Sequence, residues 1–332
     1  MLEGFDLWAN PSSPHAAGRK ARSALEDARA RIAAVLGWQG EVLFTSGASE
    51  AAALALGHAK GGARLVSAVE HEAVLRAAPE AERLPVRADG SLEIDGLDGT
   101  LDRERPLVAC QQINSETGNA FDLDALSARI HAAGGWLLVD VSQSAGKLPL
   151  PGGADMAIVS AHKFGGPIGI GVLLVRDLAM LEPAGGQERG YRRGTENLPG
   201  AMGMAAALEA CASPYVSDDI ATALDRLAHT VRGAGGLWLS DTLAHPTGLI
   251  HGVAMPGMSG SAQLMRFDMA GIAVSQGSAC SSGSLKRSPV LAAMGLTDDV
   301  IDRTIRVSVG WTTTADEVDR FAKVWQELAA SA

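Results

Sequence analysis

The chain of 332 residues carries 47% hydrophobic and 20% charged side chains, a balance that excludes disorder and fibrous architecture and suits one large core or two modest ones. Its 28 basic residues against 38 acidic ones give a formal charge of −10, which disfavours nucleic-acid backbones and anionic membranes, because both are polyanions. The expected partners are small molecules and other proteins.

Short apolar runs alternate with helical patterns through residues 1–200. The runs predict strands at Glu41 to Thr45, Arg64 to Ser67, Pro106 to Cys110, Trp136 to Asp140, Met156 to Ser160 and Gly171 to Val175, with Ala-rich or amphipathic helices at Glu50 to Lys60, His71 to Ala78 and Asp122 to Ala133. Strands spaced by helices in this way read as βαβ units around a mostly parallel sheet, whose ligand site lies outside the carboxyl ends of the strands. Beyond Gly185 to Gly194 the texture changes. Long helices at Leu198 to Ala212 and Asp218 to Gly233, strands at Gly248 to Met255 and Thr304 to Val309, and a closing helix at Ala315 to Ala330 predict a second, α+β domain. No internal repeat or low-complexity tract is evident.

Three cysteines, Cys110, Cys211 and Cys280, with no C-x-x-C spacing argue against a disulfide scaffold or zinc site and for a reducing cytoplasm. No apolar run reaches the roughly 18 residues that span a bilayer, and Met1 to Asn10 lacks the basic and apolar regions of a signal peptide. Glycine, at 39 residues, exceeds its average usage of about 7%, which suggests many turns close to a ligand.

Four clusters could carry chemistry. In Thr45-Ser46-Gly47-Ala48-Ser49-Glu50 a strand ends, a glycine turns the chain and a helix begins; free N–H groups and small hydroxyls there suit either an anion cup or an ordinary N-cap. Asp140 closes a buried strand ahead of Ser142, Gln143 and Ser144, and either points into the ligand crevice, holding a ring nitrogen or a metal, or caps the following turn. In Ser160-Ala-His162-Lys163-Phe-Gly-Gly-Pro167, Lys163 is the one of six lysines that follows a hydrophobic strand; the other five, Lys147 among them, read as solvated. Burial there favours a nucleophilic amine. The glycines up to Gly171 do not form a dinucleotide fingerprint, because Pro167 and the run Val172 to Val175 stand where a helix would start. An anion cup, a strand-end acid and a strand-end lysine together match the needs of pyridoxal phosphate. Fourth, Cys280 sits in a Gly/Ser loop with little apolar surface to bury it, whereas Cys110 in its strand and Cys211 on its helix read as buried; Cys280 is the candidate reactive thiol. Arg306, inside the strand-like Ile305 to Val309, points either to solvent or to a substrate carboxylate.

These motifs, running from Asn10-Pro-Ser-Ser-Pro-His15 to Arg306-Val-Ser-Val-Gly310, resemble the cysteine desulfurases of the class V aminotransferase group within the fold type I pyridoxal phosphate enzymes. The resemblance implies an α/β fold with a mostly parallel central sheet flanked by helices in a large cofactor domain, 16–198, and a smaller α+β domain formed by 1–15 and 199–332. It implies conversion of L-cysteine to L-alanine with sulfur passing to Cys280 as a persulfide, in a cytoplasmic homodimer that hands sulfur to an acceptor or scaffold protein, as in iron–sulfur cluster assembly. Lys163 would be the Schiff-base lysine and the proton carrier at the substrate Cα, Asp140 the partner of the pyridine nitrogen, and Gln143 that of the phenolic oxygen. His71 would stack on the ring and assist catalysis. Ala48, Ser49, Ser160 and His162 would bind the phosphate, and Thr195 would reach the phosphate of the neighbouring subunit. Asn114 would sit beside the cofactor and the substrate carboxylate, and Asn10 and Arg306 would contact the substrate. Departures are the short stretch ahead of Asn10, which lacks the usual Asp, Ala and Thr motif, a compact second domain, and Ser115 in place of the second Asn of the usual pair. They leave room for a selenocysteine lyase, another class V lyase, or a non-catalytic paralogue that serves as a binding or regulatory subunit.

Overall fold

The computed structural model describes residues 1–94, 97–211, 214–277 and 287–331. Its helices are α1 (Leu2–Asp6), α2 (Ala16–Leu36), α3 (Ala48–His58), α4 (Glu72–Ala77), α5 (Leu97–Leu101), α6 (Leu123–Ala132), α7 (Leu198–Glu209), α8 (Asp218–Gly233), α9 (Gly260–Met269), α10 (Pro289–Ala293), α11 (Asp298–Arg303) and α12 (Ala315–Ala330). Its strands are β1 (Glu41–Thr45), β2 (Arg64–Ser67), β3 (Glu82–Leu84), β4 (Leu107–Gln111), β5 (Trp136–Asp140), β6 (Met156–Ser160), β7 (Gly171–Val175), β8 (Leu237–Trp238), β9 (Ile250–Ala254) and β10 (Thr304–Ser308).

The chain divides into two compact units. The first holds Met1–Arg83, Ile94–Gln112 and Asp122–Ala212. Its sheet runs in the order β1-β7-β6-β5-β4-β2-β3. Strands β2, β4, β5 and β6 pair in parallel, and β7 is antiparallel to both β6 and β1. Every residue of β4, β6 and β7 is buried, the mark of strands covered on both faces, and it explains why they read as unbroken apolar runs.

The sequence reading omitted α2, the longest helix. Its buried residues Gly18, Ala21, Leu25, Ala28, Arg29, Ile32 and Leu36 fall on one face, but three of them are Gly or Ala and one is itself an arginine, so the apolar stripe is faint against the interspersed arginines. His15 caps its start by accepting from the Gly18 amide, and Gly37 ends it at φ 65°, a left-handed conformation that favours glycine. The expected domain limits also differ from the observed division. Helices α1 and α7 fall in the first unit, not with the small domain, and α7 packs against both α2 and α1.

Strand β1 lies at the edge of the sheet, where open backbone groups invite aggregation. Side chains close it. The Phe44 amide donates to Glu188 Oε2 at 2.8 Å, and the Arg29 guanidinium donates to the Val42 carbonyl. Arg29 and Glu188 also join in a fork at 2.7 and 3.0 Å, and both side chains are buried.

The second unit holds Leu84–Glu93, Ile113–Phe121 and Ser213–Ala332. Its antiparallel sheet has the order β10-β9-β8. Helices α8 and α12 pack together over a core of Leu227, Val253, Phe267, Ile305, Phe321 and Trp325. Thr314 and Glu317 form a capping box at the start of α12, satisfying two helix-end groups reciprocally. On β9, buried His251 stacks on Trp238 with ring centroids 4.6 Å apart and meets Ser240 Oγ at 3.1 Å.

Two stability predictions follow from these buried groups. Glu188→Ala leaves the buried Arg29 with Glu26 as its remaining carboxylate partner, at 2.9 Å, and frees the Phe44 amide, so it should cost about 1–3 kcal/mol in chemical denaturation; no measurable cost would contradict the edge-closing role. Burial lowers the His251 pKa to about 4, so the unfolded chain binds more protons than the folded one below about pH 6.5, and stability is lost as pH falls. That loss should reach about 2 kcal/mol by pH 5, and the slope between pH 7 and pH 5 should be shallower in His251→Phe. Equal slopes would contradict it.

Candidate active site

With β7 antiparallel between them, β1 and β6 run in the same direction, so β1, β2, β4, β5 and β6 all present their carboxyl ends on one side of the sheet. The side chains singled out in the sequence of this unit lie largely in the segments that follow those ends. The turn after β1 starts α3, the turn after β2 carries His71, β5 ends on Asp140, and β6 leads into a short 3-10 turn, Ala161–Phe164, which contains His162 and Lys163.

The start of α3 has no side-chain cap. Its N-cap, Gly47, adopts φ 148° and ψ −173°, a backbone conformation that L side chains rarely take. Thr45 Oγ1 donates to the Gly47 carbonyl at 3.1 Å, and Glu50 accepts from the Ser46 amide and from Arg192 Nε at 3.0 Å. A Cβ on Gly171, the first residue of β7, would fall 2.8 Å from Gly47 Cα and 2.5 Å from the Val159 carbonyl. Glycine at 171 therefore lets the α3 turn lie against β6 and β7. Ser160 Oγ is the nearest atom a Cβ on Gly47 would meet, at 3.9 Å. Uncapped amides beside a serine hydroxyl suit an anion. Ala48 is half-buried and Ser49 exposed at this turn.

Ser160 Oγ lies 2.9 Å from His162 Nδ1. Burial, then the charges of Lys163 and His71, hold the His162 pKa below its ordinary value, favouring a neutral ring. His71 is the N-cap of α4, and its Nδ1 accepts from the Ala73 amide at 3.2 Å. That bond places the proton of a neutral imidazole on Nε2. Asp140 is half-buried; its Oδ1 accepts from the Ser142 amide at 2.9 Å and its carbonyl from the Gln112 amide at 3.0 Å.

Two residues here escaped the sequence reading. Lys147 is not solvated: burial, then repulsion from Lys163, lowers its pKa to about 8. Glu70, the residue ahead of the predicted helix His71 to Ala78, is buried; nothing singles it out in the sequence.

In the second unit, Asn114 Oδ1 accepts from the Glu116 and Thr117 amides, both at 2.9 Å, and from Thr117 Oγ1 at 3.2 Å. Its oxygen thus builds the turn. Arg306 is half-buried and donates through Nη1 to the Ser115 carbonyl at 2.9 Å, a contact any residue at 115 supplies. Glu116 accepts from Ser288 Oγ at 2.6 Å; burial raises its pKa, opposed by that bond and by Arg306. Both line a cavity of about 250 Å³ with Gln276 and Ser261.

The remaining expected residues are not drawn into these clusters. Asn10 is exposed, with its Oδ1 accepting from the Ser12 amide in its own turn. Gln143 is half-buried three residues past Asp140, and Thr195 is exposed ahead of α7. Cys280 lies outside the described residues. Cys110 is buried as expected, while Cys211, just past α7, is only half-buried.

Residues 5–321 match the family model of the class V aminotransferases, and the chain belongs to that family. Within it, the chain is similar to cysteine desulfurases. It is 36% identical to the cysteine desulfurase of Cereibacter sphaeroides, over 96% of this chain and 87% of that protein. It is 34% identical to cysteine desulfurase IscS 1 of Archaeoglobus fulgidus, over 98% and 90%. Its structure superposes on a NifS-like protein from Rickettsia africae with a TM-score of 0.88 at 25% identity, over 100% of this chain and 94% of that one.

Enzymes of this family use pyridoxal 5'-phosphate, and the residues present fit it. The uncapped start of α3 with Ser160 and His162 suits a phosphate, the strand-end carboxylate Asp140 suits a cationic ring nitrogen, and Lys163 is electrostatically coupled to His162 and Lys147. Gly171→Val should push the α3 turn off the sheet, costing about 1–3 kcal/mol of stability and weakening cofactor binding. Unchanged binding by absorbance titration would contradict the phosphate assignment.

Proposed function

We propose that this chain is a pyridoxal phosphate-dependent cysteine desulfurase that converts L-cysteine to L-alanine and passes the sulfur to Cys280 as a persulfide. The observation that carries the reading is the placement of Asp140 and Lys163 at the carboxyl ends of the adjacent parallel strands β5 and β6. The full-length similarity to cysteine desulfurases supports it.

When bound, the cofactor supplies an electrophilic carbonyl and an electron sink for negative charge at the substrate Cα. Ala48, Ser49, Ser160 and His162 would hold its phosphate through the α3 amides and side-chain donors. Asp140 would keep the ring nitrogen protonated by its negative charge, with Gln143 at the phenolic oxygen and His71 against the ring face. Lys163 would attach the cofactor through its amine and, once displaced by substrate, remove the Cα proton. Lys147, whose own basicity is lowered by burial and by Lys163, lies close enough to Lys163 to act on it electrostatically. Arg306, held by the Ser115 carbonyl, would bind the substrate carboxylate, and Asn114 and Asn10 would also contact the substrate. The Cys280 thiolate would attack the substrate sulfur as its bond to Cβ breaks, the electron pair staying with the carbon skeleton, which takes up a proton and leaves as alanine; the outer sulfur of the resulting persulfide would pass to an acceptor or scaffold protein.

Thr195, exposed ahead of α7, would reach the phosphate of a second copy, which makes the working form a homodimer. No helix among the described residues is long and apolar enough to cross a membrane, and three cysteines without a C-x-x-C pair suit a reducing cytoplasm.

Cysteine supplied with a reductant should yield alanine and sulfide in equal amounts. Lys163→Ala should lower alanine formation at least about 10²-fold and abolish the colour of the covalently held cofactor. Cys280→Ser should keep the colour and lose both products. Full sulfide release by Cys280→Ser would refute the persulfide route, and wild-type protein that takes up no cofactor would refute the reading as a whole.

A further inference from the structure

Beside His71 lies a carboxyl group that this mechanism does not use. The ladder between β2 and β4 pairs Arg64 with Leu107 through Val66 with Ala109, after which β2 turns back, the Glu70 amide donating to the Ser67 carbonyl at 3.3 Å. Beyond that last pair, the Gln111 amide of β4 donates to Glu70 Oε1 at 2.7 Å. Gln111 Nε2 in return donates to the Val69 carbonyl at 2.8 Å, and the Ser67 hydroxyl also bonds the Glu70 carboxyl. Gln111 is in turn the register partner of Asp140 on β5. Glu70, Gln111 and Asp140 thus follow one another across the carboxyl ends of three adjacent strands.

The surroundings of Glu70 are unusual for an acid. The residue is 4% exposed, and its Oε2 is buried without a hydrogen-bond partner. Two titratable groups couple to it, Asp140 from β5 and Cys110 from β4, both acids. A buried carboxylate oxygen with no donor and a like charge nearby favours the protonated form. Burial and the Asp140 charge accordingly push its pKa well up, against the bonds from Gln111 and Ser67.

We propose that Glu70 is a positioning residue: a neutral carboxylic acid that ties the end of β2 to β4 and leaves Asp140 as the negative charge available to the cofactor's ring nitrogen. A second ionised carboxylate would repel Asp140 and displace the strand ends that carry His71 and Asp140. The proposal rests on the reading of Asp140 as the ring-nitrogen partner, but the state of Glu70 can be tested without the cofactor.

Infrared spectra of cofactor-free protein labelled with carboxyl-¹³C glutamate should show a protonated-acid band at pH 7 that is missing from Glu70→Gln. Its absence from the wild type would overturn the proposal. In the loaded enzyme, Glu70→Leu removes the acceptor for Gln111 and should weaken cofactor binding roughly tenfold, the fold-change matching one lost buried hydrogen bond, and shift the pH midpoint of the visible band. Glu70→Gln, which mimics a neutral acid in shape and charge, should restore both. A shift in Glu70→Gln as large as in Glu70→Leu would show that an ionised Glu70 is needed. If Glu70→Leu does not fold, the infrared comparison decides alone. If the wild type binds no cofactor while the acid band is present, the functional reading fails and the neutral acid stands.

Discussion

The common direction of β1, β2, β4, β5 and β6 is the constraint on which the site depends. A parallel sheet places the carboxyl ends of its strands together, so a turn residue, a helix cap, a strand-end acid and a lysine far apart in sequence meet without further design. The antiparallel β7, inserted between β1 and β6, sharpens that arrangement. Its first residue must be glycine, because the α3 turn passes 2.8 Å from where its Cβ would stand. The edge that β1 leaves open is closed by the Arg29–Glu188 fork, whose Glu188 belongs to the same loop as Arg192, the residue that grips Glu50 at the start of α3.

Charge is sorted at the same end of the sheet. Burial and the nearby charge of Lys163 lower the basicity of both Lys147 and His162, so these two potential cations hold their protons less tightly than they would in water. That state suits a site that receives a phosphate and needs a free amine. Toward β4 and β5 the sign reverses, with Glu70 and Asp140 as neighbouring acids. The boundary runs between the proposed phosphate side and the proposed ring-nitrogen side, which is the charge pattern of the cofactor itself. In the second unit, Arg306 and Glu116 repeat the logic on a smaller scale, each held by a partner at 2.9 and 2.6 Å.

Much of this was legible in the sequence wherever burial on both faces wrote an unbroken apolar run. Strands β1, β2, β5, β6 and β7 have the limits read from those runs, and they in turn placed Asp140 and Lys163 correctly at strand ends. The faint signals were those carried by small or charged residues. Helix α2 buries alanine and glycine more than leucine, and α7 looked like the start of a new domain because a glycine-rich loop precedes it, although it packs on α2. Lys147 reads as a solvated charge and Glu70 carries no signal of its own, since a single sequence records the charge of a side chain and not the solvent it loses when strands converge. The turn at Asn114 was legible as chemistry but not as architecture: its side-chain oxygen is used within the turn, and the Ser115 carbonyl holds Arg306.

The claim on which the account turns is that one particular amine at the end of β6 takes the cofactor. The most direct measurement is to load the protein with pyridoxal 5'-phosphate, reduce the adduct with borohydride and map the modified peptide among the six lysines of the chain. The account predicts a single modification, at Lys163. Modification at Lys147, or no stable adduct on any lysine, would contradict it.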